Sequence, residues 1–114
     1  MKLVITACAT HLCAKISAVF ERCPYFLYVD TEHAEDFEVV ENPYRNLWSG
    51  ADILCAQFII SQGGEAILSG CCSANARRIF QIAHLKVFTG FDGDAKLGID
   101  AINNGTLFPS DLKR

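Results

Sequence analysis

No apolar run in this 114-residue sequence approaches the roughly 18 residues that a membrane span requires. The N-terminus lacks the long apolar stretch of a signal peptide; Met1-Lys2 leads at once into a strand pattern. Positive charge is not in excess. A net charge of −3 gives no electrostatic footprint for nucleic acid or an anionic membrane. No two cysteines stand at Cys-x-x-Cys spacing, so the usual zinc-ribbon signal is missing. The first apolar segment, Lys2 to Ala7, holds no Asp or Glu, which argues against the clustered carboxylates of a two-metal nuclease. There is no phosphate-loop pattern, nucleophile elbow or dinucleotide fingerprint. Repeats, low-complexity stretches and linkers are absent too. Together these absences predict one cytoplasmic domain over residues 1–114, with no membrane or nucleic-acid partner and no enzymatic turnover of its own.

What is present is apolar material and sulfur. Hydrophobic residues make up 51% and charged residues 20%, enough for a packed core in a chain of ordinary domain size. There are six cysteines. In the cytoplasm such thiols are more often free, metal-bound or catalytic than paired in disulfides. Cys8 and Cys71-Cys72 sit at or just after buried-strand patterns, where strands end and loops begin. Thiolates gathered there would be soft ligands for iron–sulfur, copper, zinc or molybdenum–sulfur centres.

The chain reads as strands first and alternating helices and strands afterwards. Lys2 to Ala7 is the first strand, and residues 8 to 23 form a long loop, with a short helix over Ala14 to Phe20 as the alternative. Tyr25 to Asp30 is strand two, Thr31 to Glu35 a polar turn, and Asp36 to Glu41 strand three, ended by Asn42-Pro43. Ser49 reads as the N-cap of a helix, with Asp52 as its capping-box partner. Ala51, Leu54, Cys55, Phe58 and Ile59 form its inner face, and Gly63-Gly64 stops it. Glu65 to Ser69 is strand four. Ser73 caps a second helix with Ala76, Ile79, Phe80 and Ala83 inward, and Leu85 to Thr89 is strand five. Asp92-Gly93 turns into a third helix, with Leu97, Ala101 and Ile102 inward and Gly105 as C-cap.

The order βββαβαβα, with right-handed crossovers, predicts a mixed five-stranded sheet covered by helices. With strands one and four as central neighbours, one sheet edge collects Cys8, Cys71, Cys72 and, just before strand two, Cys23. The first two helices begin at that edge, and their unpaired N–H groups favour an anionic guest.

The residues that carry a family resemblance run in order along nearly the whole chain. They are Phe20-Glu21-Arg22-Cys23-Pro24-Tyr25-Phe26-Leu27-Tyr28-Val29-Asp30, Val40-Glu41-Asn42-Pro43, Ser49-Gly50-Ala51, Gly70-Cys71-Cys72-Ser73-Ala74-Asn75-Ala76, Val87-Phe88-Thr89-Gly90 and Asn103-Asn104-Gly105-Thr106-Leu107. The chain resembles the dinitrogenase iron–molybdenum cofactor biosynthesis domain, the NifX-like proteins with a ribonuclease-H-like fold. The resemblance implies a three-layer α/β/α domain with sheet order 3-2-1-4-5 and strand two antiparallel. It also implies binding of an iron–sulfur or molybdenum-containing metal–sulfur cluster by a carrier or scaffold, with a protein partner in cluster transfer. Val19 stands where the family often has histidine, Glu21 where it has glycine, and Ser73 and Ala74 where it has glycine and proline. A nitrogenase-type ligand set therefore does not carry over unchanged.

The candidate metal ligands are Cys8, Cys13, Cys23, Cys71 and Cys72. His11, Arg22, Ser49, Gly50, Ser73 and Asn75 are candidate ligand-binding residues on the same edge. Cys55 lies on an inward helical face and reads as core filler, since a buried free thiol behaves as a small hydrophobe. Two rival readings stand beside the carrier. One is a metal-free interaction or regulatory module. The other is a thiol-dependent redox protein using a cysteine with His11, for which the sequence places no third orienting group.

Overall fold

The computed structural model describes residues 1–110 and contains five strands and three helices. The strands are β1 (Lys2–Ala7), β2 (Tyr25–Asp30), β3 (His33–Glu41), β4 (Ala66–Leu68) and β5 (Lys86–Phe88). The helices are α1 (Ala51–Ser61), α2 (Ala74–Ile82) and α3 (Ala95–Asn103). The sheet order is β3-β2-β1-β4-β5. β2 runs antiparallel to β1 and β3, while β1, β4 and β5 are mutually parallel neighbours. The expected topology is therefore the observed one.

Two cores explain the three layers. Successive strand residues face opposite sides of a sheet. Val4, Phe26, Tyr28, Ile67 and Val87 meet Cys55, Ala56 and Ile59 of α1 and Ala76 and Phe80 of α2. Leu3, Ile5, Leu27, Val29 and Leu68 meet Ala95 and Ile99 of α3, with Ala14 and Ile16 of the long loop filling the same side. β1 is buried from Leu3 to Ala7, as its continuous apolar sequence requires at the centre of a two-sided sheet.

Several local expectations change. β3 begins at His33, so the turn after β2 shrinks to Thr31 and Glu32. Of the residues read as a polar turn, His33 to Glu35 join β3, with His33 opposite Asp30, because an edge strand tolerates polar and charged residues. The alternative helix over Ala14 to Phe20 does not form; one 3₁₀ turn at Phe20–Arg22 takes its place. Ser49 is not the cap of α1. Gly50 occupies that position with φ 79°, in the left-handed region that glycine enters without penalty, and no side chain caps the helix. Asp94 caps α3 by accepting from the Leu97 amide at 2.8 Å. α3 presses Ala95, Gly98 and Ile99 inward and leaves Leu97 55% exposed, a rotation from the expected face. Leu54 is likewise exposed at one side of α1. Each helix closes with a left-handed residue just past its end, namely Gly63, His84 and Gly105. The following amide bonds back five residues, as from Thr106 to the Ala101 carbonyl at 2.9 Å.

Candidate functional site at the C-terminal edge of the parallel strands

The ends of β1, β4 and β5, the start of β2 and the starts of all three helices meet at one rim. The loop after β1 is a strap fastened along this rim. Cys8 N–H donates to the Lys15 carbonyl at 3.0 Å, folding the loop back on itself. Ser17 N–H then donates to the Thr6 carbonyl at 2.7 Å, Gly70 N–H to the Ser17 carbonyl at 3.0 Å, and Phe20 N–H to the Cys71 carbonyl at 3.1 Å. The strap is also tied to α3, whose Ala95 and Lys96 amides donate to the carbonyls of Ala14 and Leu12. Gly70 permits this crossing. A Cβ there would lie 2.7 Å from Ala18 Cα and 2.9 Å from the Ser17 and Ala18 carbonyl oxygens. Beneath the strap, the Thr6 hydroxyl donates to Ser69 Oγ at 2.9 Å, satisfying two buried polar groups. Beside the crossing lies a recess of about 270 Å³, walled by Lys15, Ala18, Gly70, Gly90, Phe91 and Asp92.

The starts of α1 and α2 are joined by an acid. Ser73 Oγ accepts from the Ala76 amide at 3.1 Å, the expected N-cap, and its hydroxyl donates to Asp52 Oδ2 at 2.6 Å. The Ser73 hydroxyl bond, more than any other contact, holds the Asp52 carboxyl below its ordinary value, and Asn75 contributes in the same direction. Asp52 therefore does not box its own helix. It places a negative charge of the chain's own where an anionic guest was expected to meet both helix N-termini. Arg22 is used structurally: its guanidinium donates to the carbonyls of Arg45 and Leu47 at 2.6 and 2.8 Å. That clamp holds the segment leading to Ser49 and Gly50, both exposed, and to Trp48, which is 98% exposed.

The cysteines divide by environment. Cys8, Cys13 and Cys71 are exposed, and so is His11 beside Cys13 on the strap. Cys23, Cys55 and Cys72 are buried in the core beneath α1 and α2. Burial pushes the thiols of Cys23 and Cys72 up to about 12 and that of Cys55 up to about 11. For Cys72, loss of water outweighs the opposing pull of the nearby Arg77 charge. Among the described residues, no three His, Cys, Asp or Glu side chains are grouped so as to hold a metal ion.

The family described as dinitrogenase iron-molybdenum cofactor matches residues 1–105. The chain belongs to this family. No curated protein matches it. Among solved structures, the apo form of the orange protein from Desulfovibrio gigas shares its fold at 23% identity and TM-score 0.90, over 96% of this chain and 92% of that one. A NifB-type protein from Thermotoga is 27% identical at TM-score 0.80, over 99% and 97% of the two chains. A dinitrogenase-type protein from Methanocaldococcus jannaschii shares the fold at 21% identity and TM-score 0.71, over 97% and 95%.

Two residues of this family member escaped sequence reasoning as parts of the rim. Asn42 is buried at the end of β3, and its amide donates to the carbonyls of Glu21 and Cys23, each at 3.0 Å. Its carbonyl oxygen accepts from the Tyr44 amide at 2.9 Å and from the Cys55 thiol at 3.3 Å. The Asn-Pro pair at the strand end signals a turn, and nothing local signals that hub. Asp52 was visible only as a capping-box acid, because its true partner lies 21 residues away.

Proposed function

We propose that this chain is a cytoplasmic carrier or scaffold for a metal–sulfur cluster, a single domain with no turnover of its own, which passes the cluster to a protein partner. The observation that carries the reading is the set of exposed rim thiols, with Cys71 immediately after the recess residue Gly70. Cys8 and Cys13 lie on the strap that borders the same recess, and Lys15 offers a positive charge to an anionic cargo. Family membership supports the association with an iron–molybdenum type of cofactor. The protonated, buried Cys23 and Cys72 fit poorly as first ligands, since the thiolate is the ligand form. An iron–sulfur or molybdenum–sulfur cargo is thus held by few thiolates, with the recess shape and Lys15 supplying the rest.

The test is anaerobic reconstitution with iron, molybdate and sulfide, read by metal analysis and visible absorption. Wild type is expected to take up metal and colour, Cys71→Ala to lose most of it, and Cys8→Ala/Cys13→Ala to lose part. Equal loading of all three, or a colourless wild type, would leave the metal-free interaction module as the better reading. The fully exposed Trp48 and the lack of a grouped metal-ligand set among the described residues favour that alternative.

A further inference from the structure

Trp48, the only tryptophan of the chain, is 98% exposed, the most exposed large apolar side chain among the described residues. An aromatic side chain of this kind offers about 150–250 Å² of surface for burial. The fold holds the indole out in water. Arg22 donates from one guanidinium nitrogen to the carbonyls of Arg45 at 2.6 Å and Leu47 at 2.8 Å. The Leu47 amide donates to the Tyr44 carbonyl at 3.1 Å, closing a turn immediately before Trp48. Tyr44 anchors that turn in its own right. Its amide donates to Asn42 Oδ1 at 2.9 Å, and its ring meets Phe58 of α1 edge-on. A side chain presented on a backbone already fixed gives up less freedom when a partner covers it.

The charges around the turn are uneven. Arg22 and Arg45 are exposed, and neither forms an ion pair among the described residues. Of the acids beside them, Glu21 and Asp52 are half-buried, and Asp52 is bonded to Ser73. From Asn42 to Gly64 the sequence holds no charged residue besides Arg45 and Asp52. The outward charge here is positive, although the whole chain carries −3.

This pairing of residue types selects the partner. Trp and Arg are the side chains that most often dominate binding energy at protein interfaces. A guanidinium meets a carboxylate through two parallel hydrogen bonds, and an indole covers an aliphatic side chain. A second copy related by a two-fold axis would set this surface against itself, guanidinium to guanidinium. Single-stranded nucleic acid stacks on an indole, but the net negative charge of the chain repels its phosphates. We propose that Arg22, Arg45, Leu47 and Trp48 form a docking surface for an acidic segment of a partner protein. An aliphatic side chain of that segment lies against Trp48 and Leu47, and its carboxylates meet the two guanidinium groups. Such a surface serves a cluster carrier and a metal-free module alike, so it is tested without metal.

The single tryptophan makes its own emission the reporter of docking. A random peptide display library is panned on the wild-type protein, and the enriched peptides are synthesised and titrated against it. Enrichment of sequences that combine Asp or Glu with Leu, Ile or Val is expected. Those peptides should move the emission to shorter wavelength and shield it from acrylamide. Arg45→Glu should weaken binding by about tenfold or more, and Arg45→Lys by less. Trp48→Ala, followed by calorimetry, should lose about tenfold or more in affinity at an unchanged melting temperature, since so exposed a side chain holds little of the fold together. No enrichment, enrichment of basic or uncharged peptides, or wild-type affinity in Arg45→Glu or Trp48→Ala would overturn the assignment. So would the same spectral shift on raising the protein concentration alone or on adding oligothymidylate, which would point respectively to a second copy and to single-stranded nucleic acid.

Discussion

The six thiols of this chain differ more in surroundings than in chemistry. Attack by an alkylating reagent needs the thiolate and an approach path. Cys23, Cys55 and Cys72 have neither, being buried and pushed up to about 12, 11 and 12. In native protein at pH 8, iodoacetamide is expected to modify Cys8, Cys13 and Cys71 and to reach the other three only in denaturant. Mass spectrometry of the labelled peptides reads this directly, and rapid native labelling of Cys72 would contradict the burial described. The reading of Cys55 as core filler followed from helical spacing alone. Cys23 and Cys72 could not be separated from the exposed thiols in the same way. Their burial depends on a cluster that joins Phe20 and Phe26 to Phe80, more than fifty residues further along the chain.

Among the elements, the helix starts give the sharpest contrast. Ser73 caps α2 and binds Asp52, whereas Ser49 is exposed and caps nothing. Ser73→Ala should lower stability by about 1 kcal/mol or somewhat more, the usual cost of a lost N-cap. Ser49→Ala should stay within about 0.5 kcal/mol of wild type. Chemical denaturation of the two variants decides it; equal destabilisation would reverse the assignment. Helix number and the alternation of strands and helices were legible in the apolar periodicity, while the sheet order that brings Cys8 and Cys71 to one edge was implied by the family resemblance. The cap of α1 was not legible. Both Ser49 and Gly50 suit the position, and the clamp from Arg22 to the carbonyls of Arg45 and Leu47 is a long-range bond. The inner face of α3 was misread because Gly98 looks like a gap in the apolar stripe. In the structure it is the point of closest approach, where a Cβ would lie 2.6 Å from Leu68 Cδ2.

At the scale of the molecule, the rim depends on the strap staying down across β4. Gly70→Ala would drive a methyl group into the Ala18 backbone, which cannot yield as a side-chain tip could. The expected cost is about 1–3 kcal/mol, as for other overpacked sites. Faster hydrogen exchange should appear at the Ser17 and Phe20 amides, which bond to Thr6 and Cys71. Unchanged exchange at both would mean that the strap tolerates the methyl group. The two outer strands of the sheet are unequal: β5 has three residues, while β3 has nine and ends the sheet on the other side. A long open strand is a template on which a second molecule can add its own. β3 carries Glu35, Asp36, Glu38 and Glu41, so a copy laid alongside would bring like charges together. This acidic border opposes the zipping of neighbouring molecules into a continuous ribbon, and exchanging its acids for neutral residues would remove that protection against aggregation.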